Sequence, residues 1–164
     1  MELEHAALRA LLPHRHPMIL LDRVEAVVPG ESLRAVKAIS GCEPCYRDAP
    51  PDADTDWYAY PFSLLLESFG QAAAVLWLLG APHEHGLPMF AAAKDCRPLA
   101  PVRPGDVVVH HVELEQTVHG AAFATGTSWV GRTRVAEYVQ LMAVVRPVEL
   151  VRETRLDVVE RSRT

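Results

Sequence analysis

Hydrophobic positions along the chain change their period several times, and each change predicts a change of element. EHAALRALL (residues 4–12) is spaced as a short amphipathic helix and stops at Pro13. MILLDRVEAVV (18–28) alternates and is rich in β-branched residues, which predicts a strand ended by the turn at Pro29–Gly30. SLRAVKAIS (32–40) alternates again, with Leu33, Ala35, Lys37 and Ile39 on one face and Ser32, Arg34, Val36 and Ala38 on the other. Residues 41–60, GCEPCYRDAPPDADTDWYAY, are rich in Pro and Asp and predict a long loop, of a length that is usually functional or mobile. PFSLLLESFGQAAAVLWLL (61–79) is apolar on almost every face and predicts a long buried helix with Pro61 in its first turn. After the linker GAPHEHGLP, MFAAAKDC (89–96) predicts a strand. Three longer ones follow, VVVHHVELEQTVH, AAFATGTSWVG and RVAEYVQLMAVV, separated at Gly120 and Gly131–Arg132, and they predict an antiparallel meander. One long helix inside the order of an antiparallel sheet is an α+β pattern in which the sheet wraps the helix.

Length and composition narrow the class. At 164 residues the chain is expected to form one domain, with a charged tail from 146 to 164. A net charge of −5 without a basic run argues against nucleic acid as a partner. The N-terminus opens with acids and has only a short apolar run, so no signal peptide is expected. The longest uninterrupted apolar run, Ala72 to Pro82, falls short of the ~20 residues of a membrane span, so a cytoplasmic protein is expected. Three cysteines suit a reducing compartment. Cys42 and Cys45 form a lone CxxC with no second ligand pair at metal spacing, so they are read as ordinary thiols.

The chemistry centres on the oily helix. Ser63, Glu67 and Gln71 recur every fourth residue and form one polar stripe on it. A carboxylate placed among apolar residues is unfavourable by several kcal/mol unless paired, hydrogen-bonded or protonated. Burial is expected to push the Glu67 pKa upward, towards a value useful for proton transfer near neutral pH.

Three segments carry a family resemblance. LLPHRHPMILLDRV (11–24) resembles the L-P-H-R-x-P-x-L-L-V-D-R-V segment of the hot-dog-fold 3-hydroxyacyl-ACP dehydratases. PFSLLLESFGQAAAVL resembles their P-G-V-L-x-x-E-A-x-A-Q-A-A-G helix, and KDCRPLAPVRPGDVVVHHVEL resembles R-F-R-x-P-V-x-P-G-D leading into a long strand. All three occur in the family's order and together span roughly residues 10 to 147.

The resemblance implies a hot-dog fold in which two subunits pair their sheets edge to edge, with active sites at the interface. It implies an acyl thioester substrate on acyl carrier protein or CoA, and Glu67 as the catalytic carboxylate. Gln71 would orient that carboxylate, and Pro61, Phe62 and Ser63 at the helix start would bind or orient substrate. Eliminating water β to a thioester needs a base for the C2 proton, an acid for the C3 hydroxyl and donors at the carbonyl, but no metal or organic cofactor.

The chain departs from the family at one position. The family's catalytic histidine lies in a loop segment like N-E-P-F-F-x-G-H-F-P; here CEPCYRDAPP leaves Ala49 or Ala53 in that place, and no histidine occurs between His16 and His83. Histidine-lacking dehydratase-like proteins of aryl polyene and polyketide pathways resemble the chain in this. Three readings stay open: one half of a heterodimeric dehydratase whose paralogous partner supplies the histidine; a hot-dog thioesterase using Glu67; and a non-catalytic subunit, in which Glu67 is only a satisfied carboxylate. The dimer is accordingly a homodimer or a heterodimer with a hot-dog paralogue.

Other polar residues are weighed individually. His14 is the lesser candidate for the missing role, its structural reading being a loop histidine bonded to backbone. His110 and His111 are strand neighbours and must face opposite ways. His83 and His85 lie on the linker and read as an exposed loop. Asp48, Asp52 and Asp54 are loop carboxylates that read as solvated, and Asp22 and Arg23 are expected to hold the N-terminal segment as an ion pair. Pro104–Gly105–Asp106 is a turn ahead of a strand.

Overall fold

In a computed structural model of the protein, the residues described are 1–80, 86–118 and 120–146. Two helices, α1 (His5–Leu11) and α2 (Phe62–Gly80), join six strands: β1 (Arg23–Val28), β2 (Ser32–Ala38), β3 (Leu87–Pro98), β4 (Val107–Val118), β5 (Ala121–Val130) and β6 (Thr133–Arg146). They form one antiparallel sheet in the order β1-β2-β4-β5-β6-β3, with β4-β5-β6 as the meander. The linker histidines His83 and His85, and the tail beyond Arg146, lie outside the described residues.

The sheet closes over α2, where every residue from Gln71 to Trp77 is buried. Closure brings backbones into tight approach, as at Phe69. Gly126 of β5 lies under Phe69, and a Cβ at that position would come within 2.8 Å of the Phe69 ring and run into the His111 carbonyl. The gap this leaves lets Phe69 stack on Tyr138 of β6 at 3.8 Å between ring centroids.

Several expectations need correction. The strand expected over 18–28 starts only at Arg23; residues 18–22 are an arm pinned to other elements. Asp22 and Arg23 do not pair. Asp22 accepts the Ala38 amide at 2.6 Å, fixing the end of β2, and Arg23 pairs with Glu25 at 2.8 Å. Counting an unbroken apolar run also understated α2, which at 19 residues is long and apolar enough to cross a membrane. Its packing inside the sheet accounts for its oiliness instead.

The loop over 41–60 is fastened at several points. Glu43 pairs with Lys37, which is buried on the apolar face of β2 and lies 5.9 Å from the Tyr60 ring centre. The Tyr46 hydroxyl donates to the Tyr58 carbonyl at 3.2 Å, the Tyr60 amide donates to Val102, and Arg103 pairs with Asp56 at 2.7 Å. The expected turn at 104–106 is present, with the Asp106 carboxylate accepting the Arg103 amide at 2.8 Å.

The two edges of the sheet differ. Leu3 bridges Val24 on β1 and covers part of that edge. The outer edge of β3 is long and has no strand partner among the described residues, and Met89 and Phe90 are exposed.

Candidate active site

Gln71 joins two segments that lie about fifty positions apart in sequence. Its Nε2 donates to the Met18 carbonyl at 2.7 Å and to Glu67 Oε1 at 2.9 Å, and its Oε1 accepts the Leu20 amide at 2.9 Å. Two acceptors on one side and a donor on the other fix the orientation of the amide. The arm after α1 is thereby clamped against α2. Arg15 tightens the preceding turn by donating from Nη1 to the carbonyls of Leu12 (2.7 Å) and His14 (2.6 Å).

The clamp brings His14 to Glu67, with Nε2 lying 3.2 Å from Oε1. His14 Nδ1 is buried without a partner among the described residues, so the expected backbone bond is not what holds this ring. Glu67 is less enclosed than the sequence suggested: its side chain keeps 29% of its accessibility in the single chain, facing a small cleft of about 50 Å³. Gly70 and Ala74 of α2, Pro88 and Phe90 of β3, and Leu141 and Ala143 of β6 complete the lining.

The expected sign of the Glu67 shift is reversed. The hydrogen bond from His14 holds the carboxyl below its ordinary value; burial pushes the other way, and the Gln71 bond adds to the lowering. Glu67 is therefore an ionised carboxylate near neutral pH, and a weaker base than burial alone would have made it.

The remaining expected site residues do not converge as closely. Pro61 and Phe62 are half-buried at the start of α2, and Ser63 is exposed. Phe62 stacks parallel to Tyr138 at 6.4 Å between centroids. Asp48 and Asp52 are exposed; Asp54 accepts the amides of Asp56 and Trp57, and none of the three lines the Glu67 cleft. Ala49 and Ala53 are half-buried in the loop. Cys42 is exposed, and burial pushes the Cys45 thiol up, which leaves it protonated rather than nucleophilic.

A second polar group was not foreseen. Ser68, next to Glu67 but on the inner face of α2, lies 2.6 Å from Nε2 of the fully buried His110 on β4. His110 Nδ1 meets Ser128 of β5 at 2.7 Å, and Ser128 meets the Tyr138 hydroxyl at 2.9 Å. Burial lowers the His110 pKa to about 3, helped by the charges of His111 and Lys37. A neutral imidazole offers one donor and one acceptor, so one serine donates to it and the other accepts. The sequence signal was a serine inside an apolar helix, which needs a buried partner.

A larger, open hollow of about 500 Å³ lies on the outer face of the sheet, among Arg34, His111, Trp129 and Arg132. The Arg34 guanidinium there pairs with Glu25 at 3.1 Å. The Glu67 cleft, although smaller, is where an ionised carboxylate meets an apolar wall, which makes it the candidate site.

No family model matches the chain. Curated relatives do. It is 35% identical over 135 residues to the 3-hydroxyacyl-(acyl-carrier-protein) dehydratase FabZ of Symbiobacterium thermophilum, covering 82% of this chain and 92% of that protein. It is 37% identical over 122 residues to the FabZ of Haemophilus ducreyi, covering 73% and 77%. Among solved structures, the chain is similar to the dehydratase heterocomplex ApeI:P from Xenorhabdus doucetiae, with a TM-score of 0.70 at 17% identity, covering 90% of this chain and 95% of that one. A hot-dog-like protein from Thermanaerovibrio acidaminovorans superposes with a TM-score of 0.60 at 17% identity, covering 80% and 92%. The fold is the hot-dog fold, and on the identity and coverage of its FabZ relatives the chain belongs to the 3-hydroxyacyl-ACP dehydratase family.

Proposed function

We propose that this protein is the carboxylate-bearing subunit of a 3-hydroxyacyl thioester dehydratase, completed by a histidine-bearing hot-dog paralogue. The observation that carries the reading is Glu67, held by Gln71 at the mouth of an apolar cleft in a chain with FabZ kinship but no histidine in the 41–60 loop. The substrate is an acyl chain on acyl carrier protein or CoA, in fatty acid or polyketide biosynthesis in the cytoplasm. Glu67 is the catalytic residue, Gln71 orients it, and Pro61, Phe62 and Ser63 present the start of α2 to the thioester.

The β3 edge, without a strand partner among the described residues, supports pairing with a second hot-dog chain, since a long exposed edge is a template for strand addition. A homodimer would hold two carboxylates and neither loop histidine. Similarity to a structure described as a dehydratase heterocomplex is consistent with the paired arrangement.

The test mixes the chain, alone and co-expressed with a histidine-bearing paralogue, with 3-hydroxyacyl and saturated acyl thioesters, and follows products by mass spectrometry. Water loss is expected only with the paralogue. Glu67→Gln should cut it by roughly 10²-fold, as loss of a general acid–base group does. Full dehydration by the chain alone refutes the pairing. Free acid from both substrates identifies a thioesterase instead, and no turnover in any assembly a non-catalytic subunit.

A further inference from the structure

We propose that the open hollow on the outer face of the sheet is a second ligand site that takes a nucleotide, its base against Trp129 and its phosphates held by Arg34 and Arg132. The proposal goes beyond the dehydratase reading and does not depend on it.

Strand register builds the hollow. His110 is fully buried, so its neighbour His111 faces outward and is exposed. Arg34 of β2 lies opposite His111, and Trp129 of β5 lies opposite Val109, two residues along β4 on the same face. Val130 pairs with Thr133, so Gly131 and Arg132 form a two-residue turn, and Gly131, at φ +56°, makes the reversal. Arg132 is left exposed at the tip, where it lines the hollow with Trp129. The volume of about 500 Å³ is in the range of small-ligand sites.

Two of these groups are already oriented. Trp129 donates from Nε1 to Thr127 Oγ1 at 2.9 Å, which fixes the indole. Arg34 is anchored through Nε, 3.1 Å from Glu25 Oε2, and its two Nη groups have no partner among the described residues. Glu25, the one carboxylate among the lining residues, is also engaged by Arg23 at 2.8 Å. Arg132 makes no ion pair among the described residues. Cations are thus in local excess on a chain whose net charge is −5. Guanidiniums with unused N–H groups suit phosphate oxygens, and a fixed indole suits a nucleobase. An acidic peptide would use the cations and leave the indole idle.

The hollow shares no residue with the Glu67 cleft, and the β4 backbone stands between His111 and the inner contact of His110 with Ser68. Its occupant is therefore not the acyl group at Glu67. The nucleotide is either free in solution or the nucleotide end of a CoA thioester.

The test is calorimetric titration of the full chain with ADP, adenosine, pyrophosphate and a polyglutamate peptide. ADP is expected to bind at least about tenfold more tightly than adenosine or pyrophosphate, the scale of one hydrogen bond to a charged group. Arg132→Ala should weaken ADP by about tenfold and leave adenosine unchanged. Trp129→Leu should weaken ADP and adenosine alike, as loss of a stacking surface does. Should Trp129→Leu fail to fold, Arg132→Ala, on an exposed turn, carries the comparison. No saturable binding of ADP overturns the proposal. So does pyrophosphate or polyglutamate binding as tightly as ADP, which would leave only a patch of positive charge. Because the titration needs no substrate, its failure does not touch the dehydratase reading. In the assembled enzyme, a KM that rises in Arg132→Ala for CoA thioesters but not for carrier-bound ones identifies the nucleotide as that of CoA. Unmoved KM values for both, with ADP binding weakened, identify a free nucleotide, and either result upholds the site.

Discussion

Two histidines flank α2 and engage neighbouring residues of it to different ends. On the outer side His14 meets Glu67 at the edge of a cleft, where Glu67 keeps part of its accessibility. On the inner side His110 meets Ser68 with no accessibility at all. Outside, the imidazole supports the charge of a partly accessible carboxylate. Inside, burial forbids the charge, and the imidazole ties the helix to β4, β5 and, through Tyr138, β6. Residue type alone does not set the role; access to water and the partner do.

The largest effect is expected from breaking the inner group. His110→Ala leaves the hydroxyls of Ser68 and Ser128 facing a cavity, so the unmet hydrogen bonds and the lost packing add. The expected loss of stability is about 3–5 kcal/mol, read by urea unfolding. The complementary variant replaces the whole group with apolar side chains: Ser68→Ala, His110→Leu, Ser128→Ala and Tyr138→Phe together. Removing all partners at once should recover most of that loss, because no polar atom is left stranded. A loss below about 1 kcal/mol in His110→Ala would show that the network does not hold the helix.

Acid separates the two sides next. An unfolded histidine titrates near 6.5, whereas His110 does so at about 3. Between those values the unfolded chain binds a proton that the folded chain refuses, so stability falls as pH drops, with a slope approaching ~1.4 kcal/mol per pH unit. The sign for Glu67 is the same but its window is lower. Its lowered pKa contributes stability above the ordinary carboxylate value, and that contribution is lost as pH falls through the folded pKa. Between pH 6.5 and about 5, the all-apolar variant should flatten the stability curve, and Glu67→Gln should leave its slope in place. An unchanged slope in the all-apolar variant would mean that other groups control acid unfolding.

How much of this was legible in sequence follows from what periodicity encodes. Spacing of 3.6 and 2 placed α2 and the meander to within a few residues, and set His110 and His111 on opposite faces, because those features depend on near neighbours. The Glu67–Gln71 pair was legible for the same reason, being one helical turn apart. What Gln71 does for Met18 and Leu20 was not, since no local rule joins residues about fifty apart. The sign of the Glu67 shift was hidden with it: without the clamp, His14 has no reason to stand beside Glu67, and burial is the only influence that local sequence reveals. The Lys37–Glu43 pair was likewise hidden. Lys37 was correctly set on the apolar face of β2, but its partner comes from a loop with no periodicity.

The smallest expected effect concerns Ser63, the third member of the polar stripe, and it tests how far the outer site extends. Ser63 lies in the first turn of α2, exposed and four residues before Glu67. Replacing an exposed serine with alanine there should change stability by no more than about 0.5 kcal/mol, as surface positions generally do. Its effect on turnover has a separate meaning. If the thioester meets only the cleft beside Glu67, Ser63→Ala lowers dehydration by less than about tenfold, under ~1.4 kcal/mol of transition-state stabilisation. If the carbonyl instead rests against the start of the helix, where unpaired amides point outward, the hydroxyl is close enough to matter and the loss is larger. Steady-state rates of the assembled enzyme with Ser63→Ala decide between these. A small loss confines the outer site to the His14–Glu67–Gln71 cluster, and a loss beyond tenfold at unchanged stability extends it to the start of α2.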